Sequence, residues 1–195
     1  MQYHGGDIYR NQIRQDFSVN TNPLGMPDSV RKALHQAVEE AEHYPDIHAQ
    51  ELANAVAEQL RISEKKLVFG NGASELFHAV LHAVKPSKIL IPVPSFYGYE
   101  YAAKAADSHI KYAYLSEETA FCPGKELLQA MTADTDLLFL ANPNNPTGQL
   151  LGREAAVLGG GGKPAEVVLL PLLCGEGVRS KSALADDEAG AGGCL

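Results

Sequence analysis

No tryptophan occurs among the 195 residues, and only three cysteines do, Cys122, Cys174 and Cys194. Their odd number argues against a disulfide scaffold, and their spacing fits no metal site; reduced thiols in a cytoplasm are the expectation. No apolar stretch approaches the roughly 20 residues that span a bilayer. The start, Met1-Gln2-Tyr3-His4-Gly5-Gly6-Asp7, has no basic region leading into an apolar one, so no signal peptide is expected. Basic residues are also in deficit, 16 against 24 acidic, for a formal net charge of -8. That balance argues against nucleic acid and anionic membrane as partners.

The last part of the chain is poorer still. Residues 152–195 contain no Phe, Tyr, Trp, His, Ile, Asn, Gln, Thr or Met, yet hold 10 of the 18 glycines. Their single apolar run, Val167–Leu173, is interrupted by Pro171. Such a segment has little to bury against its ordering entropy, so a disordered low-complexity tail is expected. The missing residue types are mostly those with AT-rich codons. The change after about Leu151 therefore also predicts an out-of-frame segment or a junction.

Before that point the chain has the material of a folded domain. Residues 1–43 read as an extended arm followed by a helix, with Val30, Ala33, Leu34, Ala37, Val38 and Ala41 at helical spacing. Tyr44-Pro45-Asp46 breaks that helix, and Leu52, Ala55, Val56 and Leu60 mark a second. Then strands and helices alternate. Strands are expected at Lys66–Phe69, Lys88–Ile91, His109–Leu115 and Asp136–Ala141. Helices are expected from Ala73 or Ser74, over Tyr97–Ala106, and over Lys125–Met131. This alternation predicts an α/β fold with a mostly parallel sheet.

Three loops at strand ends carry candidate chemistry. Gly70-Asn71-Gly72-Ala73-Ser74-Glu75 joins a strand to a helix start, where free backbone amides and the Ser74 hydroxyl suit a phosphate; simple capping by Ser74 is the alternative. Pro94-Ser95-Phe96-Tyr97 follows a strand and offers Phe96 as an aromatic face or as a core ring. Asn142-Pro143-Asn144-Asn145-Pro146-Thr147-Gly148 ends a strand in a rigid loop, where the Asn145 amide can donate to an anionic oxygen. Ligands of open α/β sheets bind at that edge.

Together these motifs resemble those of the fold-type I pyridoxal-phosphate (PLP) enzymes, the class I/II aminotransferases. The resemblance covers residues 3–151 and implies a three-layer sandwich, with residues 44–151 as part of the PLP-binding large domain. It implies that Gly72, Ala73 and Ser74 hold the cofactor phosphate, that Phe96 stacks on the ring and that Asn145 meets its phenolic oxygen. Tyr44 would reach the phosphate of a neighbouring subunit, which implies a homodimer. His4-Gly5-Gly6-Asp7-Ile8 and Asp16-Phe17-Ser18-Val19-Asn20-Thr21-Asn22-Pro23 look like the threonine-phosphate decarboxylase branch, which serves cobalamin biosynthesis. In that branch His4, Gly5 and Asn20 would contact a small phosphorylated amino-acid substrate. The histidinol-phosphate aminotransferases share the later motifs and remain an alternative, as does a non-catalytic remnant that only binds phosphate esters.

The pattern then breaks. PLP enzymes need a Schiff-base lysine and usually a carboxylate on the pyridine nitrogen. The resemblance places both well beyond Gly148, and no such pair is recognisable. Lys181 in Ser180-Lys181-Ser182 comes too early, Asp186 and Asp187 follow it in the wrong order, and Lys163 sits beside a glycine run. The expectation is an inactive fragment of the enzyme.

Overall fold

The structure is a computed structural model that describes residues 5–10, 12–151 and 166–170. It divides into two compact units, Met1–Glu51 and Leu52–Leu195.

The first unit holds one helix, α1 (Asp28–Glu40), entered through Pro27. The arm before it is tied by local side-chain bonds. Ser18 Oγ accepts from the Gly6 amide at 2.9 Å, and Asp16 Oδ1 accepts from the Ser18 amide at 2.8 Å. The Ser18 hydroxyl, donating to the same Asp16 oxygen at 2.6 Å, and the Ser18 amide hold the Asp16 carboxyl below its ordinary range. The Gly5–Gly6 segment thus lies against Ser18 so closely that a Cβ on Gly5 would stand 2.2 Å from the Ser18 carbonyl oxygen. Only glycine fits there.

The second unit is an α/β layer structure. After α2 (Gln50–Leu60) come α3 (Ala73–Val84), β1 (Lys88–Val93), α4 (Tyr97–Ala105), β2 (His109–Tyr114), α5 (Lys125–Ala130), β3 (Leu137–Ala141) and β4 (Glu166–Leu170). The strands are all parallel, in the order β2-β1-β3-β4. Side chains alternate between the two faces of each strand. Ile89, Ile91, Leu137, Phe139 and Ala141 meet Phe77 and Leu81 of α3 and Tyr99, Ala102 and Ala103 of α4. Leu90, Leu138 and Leu140 meet Leu127 of α5 on the other face. Each such fully buried side chain contributes about 1.5–3 kcal/mol, which is why β3 reads as an unbroken apolar run.

Two expectations are corrected here. The strand expected at Lys66–Phe69 does not form, since Lys66 ends a short 3-10 helix and Leu67–Phe69 has no ladder. Leu67 has extended backbone angles, but no described strand pairs with the segment, and Val68 is 76% exposed. The Leu67 amide donates back to Glu64 O at 3.0 Å rather than into a ladder. Conversely, the tail is not wholly without structure, because Glu166–Leu170 forms β4. It pairs with β3 from Leu137↔Glu166 to Ala141↔Leu170. β3 is buried on both faces, and the Val167-Val168-Leu169-Leu170 run supplies a neighbour for its edge. The remainder of 152–195, including the expected frame change and the disorder expected there, lies outside the described residues. The thiol expectation also changes, since Cys122 is disulfide-bonded. The other two cysteines lie outside the described residues.

The amino edge of the sheet is pinned electrostatically. Asp136 Oδ2 accepts from the Ser87 and Lys88 amides at 2.9 and 3.0 Å, and Lys88 Nζ donates to Asp134 Oδ2 at 2.6 Å. The Lys88 ammonium, with help from Thr132, pulls the Asp134 carboxyl down to about 2. A depressed carboxylate stabilises the fold above its unfolded pKa, near 4. That contribution is expected to fade as pH falls from about 4 towards 2. The Asp134→Asn variant should therefore be less stable than the parent at neutral pH, with the difference closing near pH 2 in urea titrations. The effect is small because the pair is exposed.

Candidate active site

The chain leaves β1 to form β2 on one side of the sheet, then returns to place β3 on the other. A parallel sheet built this way opens a crevice between the carboxyl ends of the two strands where the order reverses, here β1 and β3. Both candidate loops, the one holding Phe96 and the one holding Asn145, emerge at that place.

They are joined by one buried side chain. Asn144, 7% exposed, donates through Nδ2 to the Pro94 carbonyl at 3.0 Å and to Thr147 Oγ1 at 2.9 Å. Its own backbone closes the loop: the Asn144 amide donates to Gln149 O at 2.8 Å, and the Gly148 amide donates to Asn144 O at 2.7 Å. Asn142 ties the loop's base, with Oδ1 accepting from the Leu151 amide at 2.9 Å. The Val93-Pro94, Asn142-Pro143 and Asn145-Pro146 bonds are cis. With Asn144 turned inward as the brace, Asn145 is left half-buried, and its side-chain amide makes none of the loop's bracing bonds. The sequence reading singled out Asn145 and overlooked Asn144. Two adjacent, chemically identical residues differ only in which way the loop turns them.

Phe96 is the residue before α4, and its ring leans into the core. It meets Phe77 of α3 edge-on at 6.3 Å, Tyr99 at 5.7 Å and Tyr97 at 5.1 Å. Tyr99 in turn stacks on Phe139 at 5.0 Å with 5° between planes, and burial pushes its phenol up to about 12. Phe96 is nevertheless only half-buried, so part of it remains open. Gly98 makes this pose possible, since a Cβ there would lie 2.4 Å from Phe96 Cε1. Gly98→Ala is expected to push the ring aside and to cost about 1–3 kcal/mol through overpacking. Urea denaturation would read this, and an unchanged midpoint would show that the ring is not held by that contact.

The third loop starts α3. Its N-cap is Gly72, at φ +80°, a left-handed conformation that side chains rarely adopt. No side chain caps the helix, and Ser74 lies inside the first turn, so capping by Ser74 does not occur. The amides of Ala73, Ser74 and Glu75 have no intrahelical acceptor. The three residues are exposed, and the helix dipole favours an anion at this end. Phe77, one turn on, ties this helix start to Phe96. The structure thus links the three candidate loops of the second unit through Phe77–Phe96 and Asn144–Pro94.

In the first unit, Gly5 and the segment leading to Asn20 are neighbours through Ser18, Asn20 is exposed, and Tyr44 is 99% exposed. His4 lies outside the described residues.

These residues fit part of a PLP molecule: an anion site without a competing cap, an aromatic face and a free amide donor. The rest of such a site is not assembled among the described residues. Lys88 and Lys104 are paired with Asp134 and Glu100, and Lys111 Nζ donates to Ala130 O at 2.8 Å. Lys85 caps the far end of α3. A strand does follow the Asn145 loop, contrary to expectation, but its carboxyl end reads Leu169-Leu170-Pro171 and carries no acid. Lys163, Lys181, Asp186 and Asp187 lie outside the described residues.

A family model described as aminotransferase class I and II matches residues 13–157. The chain is 40% identical over 175 residues to a protein of Caldanaerobacter subterraneus provisionally named threonine-phosphate decarboxylase; the match covers 89% of this chain and 46% of that one. It is 38% identical over 135 residues to the threonine-phosphate decarboxylase of Salmonella typhimurium, covering 69% and 37%. Among solved structures, the histidinol-phosphate aminotransferase of Clostridium acetobutylicum superposes with a TM-score of 0.62 at 34% identity, over 72% of this chain and 41% of that one. The chain therefore spans less than half the length of these relatives. A match of 175 residues is longer than the first 151 can supply, so the resemblance does not end at Leu151 as expected.

Proposed function

The chain belongs to the class I and II aminotransferase family, and on that premise we propose that it binds pyridoxal phosphate at the carboxyl edge of its sheet, as part of a threonine-phosphate decarboxylase. The observation that carries this reading is the Asn144–Pro94 bond at the crevice between β1 and β3. It locks the loop of the ring-stacking candidate to the loop of the oxygen-binding candidate at the place where α/β sheets hold ligands.

The roles follow from the chemistry of each group. The Ala73 and Ser74 amides and the Ser74 hydroxyl would hold the cofactor phosphate at the positive end of α3. Phe96 would give the ring an apolar face, and Asn145 would donate to its phenolic oxygen, fixing the ring's orientation. Asn144 keeps Asn145 in place without touching the cofactor. The cofactor, when bound, supplies an electron sink for loss of carbon dioxide or for amino transfer. His4, Gly5 and Asn20 would meet the substrate's phosphate, Gly5 being pressed against Ser18 in the same arm that carries Asn20. Tyr44, exposed, would serve a second subunit's phosphate in a homodimer. A cytoplasmic enzyme is consistent with these roles, and no described helix is long and apolar enough to cross a membrane.

Identities of 40% and 38% to proteins named for threonine phosphate favour decarboxylation. The 34% identity to a solved histidinol-phosphate aminotransferase keeps amino transfer as the second reading. Two measurements test the proposal. Titration with PLP, followed by absorbance, should saturate and weaken about tenfold in Asn145→Ala, the loss of one hydrogen bond to a charged oxygen. The full-length enzyme of which this chain would be a part should release carbon dioxide from threonine phosphate; its transamination of histidinol phosphate without decarboxylation would replace the first reading by the second.

A further inference from the structure

The turn that leads into α3 and presents its first amides is not self-supporting. No side chain caps the helix, and Gly72 leaves the turn in a left-handed conformation that glycine's freedom permits but does not enforce. What closes the turn is Glu75, the third residue of α3. Its Oε2 accepts a short bond from the Asn71 backbone amide and a second, at 3.0 Å, from Asn71 Nδ2. The same oxygen lies so near the preceding residue that a Cβ on Gly70 would stand 3.1 Å from it. The Gly72 amide, donating to Gly70 O at 2.8 Å, completes a tight ring of backbone.

Resting on the cofactor reading above, we infer that Glu75 is the positioning residue of the phosphate cup. From inside the helix it reaches back and holds Gly70-Asn71-Gly72 folded, so that the Ala73 and Ser74 amides point outward together. The carboxylate itself touches no ligand. It carries a cost, because its negative charge sits on the helix end that is to receive a phosphate, and like charges repel. The two effects have opposite signs and are separable by substitution. Glu75→Gln keeps an acceptor oxygen for Asn71 and removes the charge. Glu75→Ala removes both.

The test combines amide hydrogen exchange with PLP titration on the whole chain. If Glu75 is a brace, the Asn71 amide is protected in the parent and in Glu75→Gln but exchanges at least about tenfold faster in Glu75→Ala. PLP affinity should fall about tenfold in Glu75→Ala and stay at or above the parent's in Glu75→Gln. Equal Asn71 exchange in all three proteins, or tighter PLP binding by Glu75→Ala than by the parent, would overturn the inference. A parent chain that binds no PLP at all would overturn the cofactor reading instead, and the Asn71 exchange would still decide the brace.

Discussion

Phe139→Ala is expected to lower the stability of the second unit by about 3–5 kcal/mol, the range for emptying a buried aromatic site. Phe139 is fully buried at the centre of β3, stacked on Tyr99 and edge-on to Phe77 at 6.0 Å. Its removal leaves a cavity beneath α3 and α4 at once. A small domain has only about 5–15 kcal/mol in total, so the variant should unfold at markedly lower urea or expose enough apolar surface to aggregate. The damage should also reach the site, because the Phe139–Tyr99–Phe96 contacts are continuous. Chemical denaturation followed by tyrosine fluorescence would measure it. A midpoint unchanged from the parent would mean that β3 is not the centre of the core.

The elements around Phe139 were legible in the sequence because their signals are local. Leu137–Ala141 is apolar at every position, which a strand covered on both faces requires, and the helices α1 to α5 show their 3.6-residue spacing directly. Leu67–Phe69 has the same local character and is not a strand, since a strand is defined by a partner and none of the described strands pairs with it. β4 was hidden for the converse reason. Its run is apolar, but it is short, cut by Pro171 and set in a glycine-rich tail, and the ladder that β3 provides is not visible in composition. The site divides in the same way. Loop motifs located Gly72, Phe96 and Asn145, while the residues that position them, Asn144 and Gly98, act through a bond or a close approach between segments remote in sequence or through a ring pose. Glu75 did leave a signal: an acid at the third position of a helix whose N-cap has no side chain is placed to reach back to the turn.

The PLP-loaded chain is expected to show no decarboxylation or transamination above that of free PLP. On the proposed reading, the three loops would supply contacts for phosphate, ring face and phenolic oxygen, which are binding contacts. The chemistry needs more: a lysine to engage the cofactor covalently and move protons, and an acid to keep the pyridine nitrogen protonated so that the ring withdraws electrons. β4, which pairs with β3 in the sheet, has no acid in the sequence at its carboxyl end. Of the described lysines, Lys88, Lys104 and Lys111 are held by Asp134, Glu100 and Ala130 O. Loss of a positioned base alone removes about 10²–10⁴-fold in rate, and loss of the acid weakens the sink further. Borohydride reduction of the PLP-loaded chain, followed by mass spectrometry, should therefore find label scattered substoichiometrically over surface lysines. Stoichiometric labelling of one residue, Lys163 or Lys181 for instance, with turnover that disappears on its replacement by alanine, would show that this chain carries its own reactive lysine and is an active enzyme.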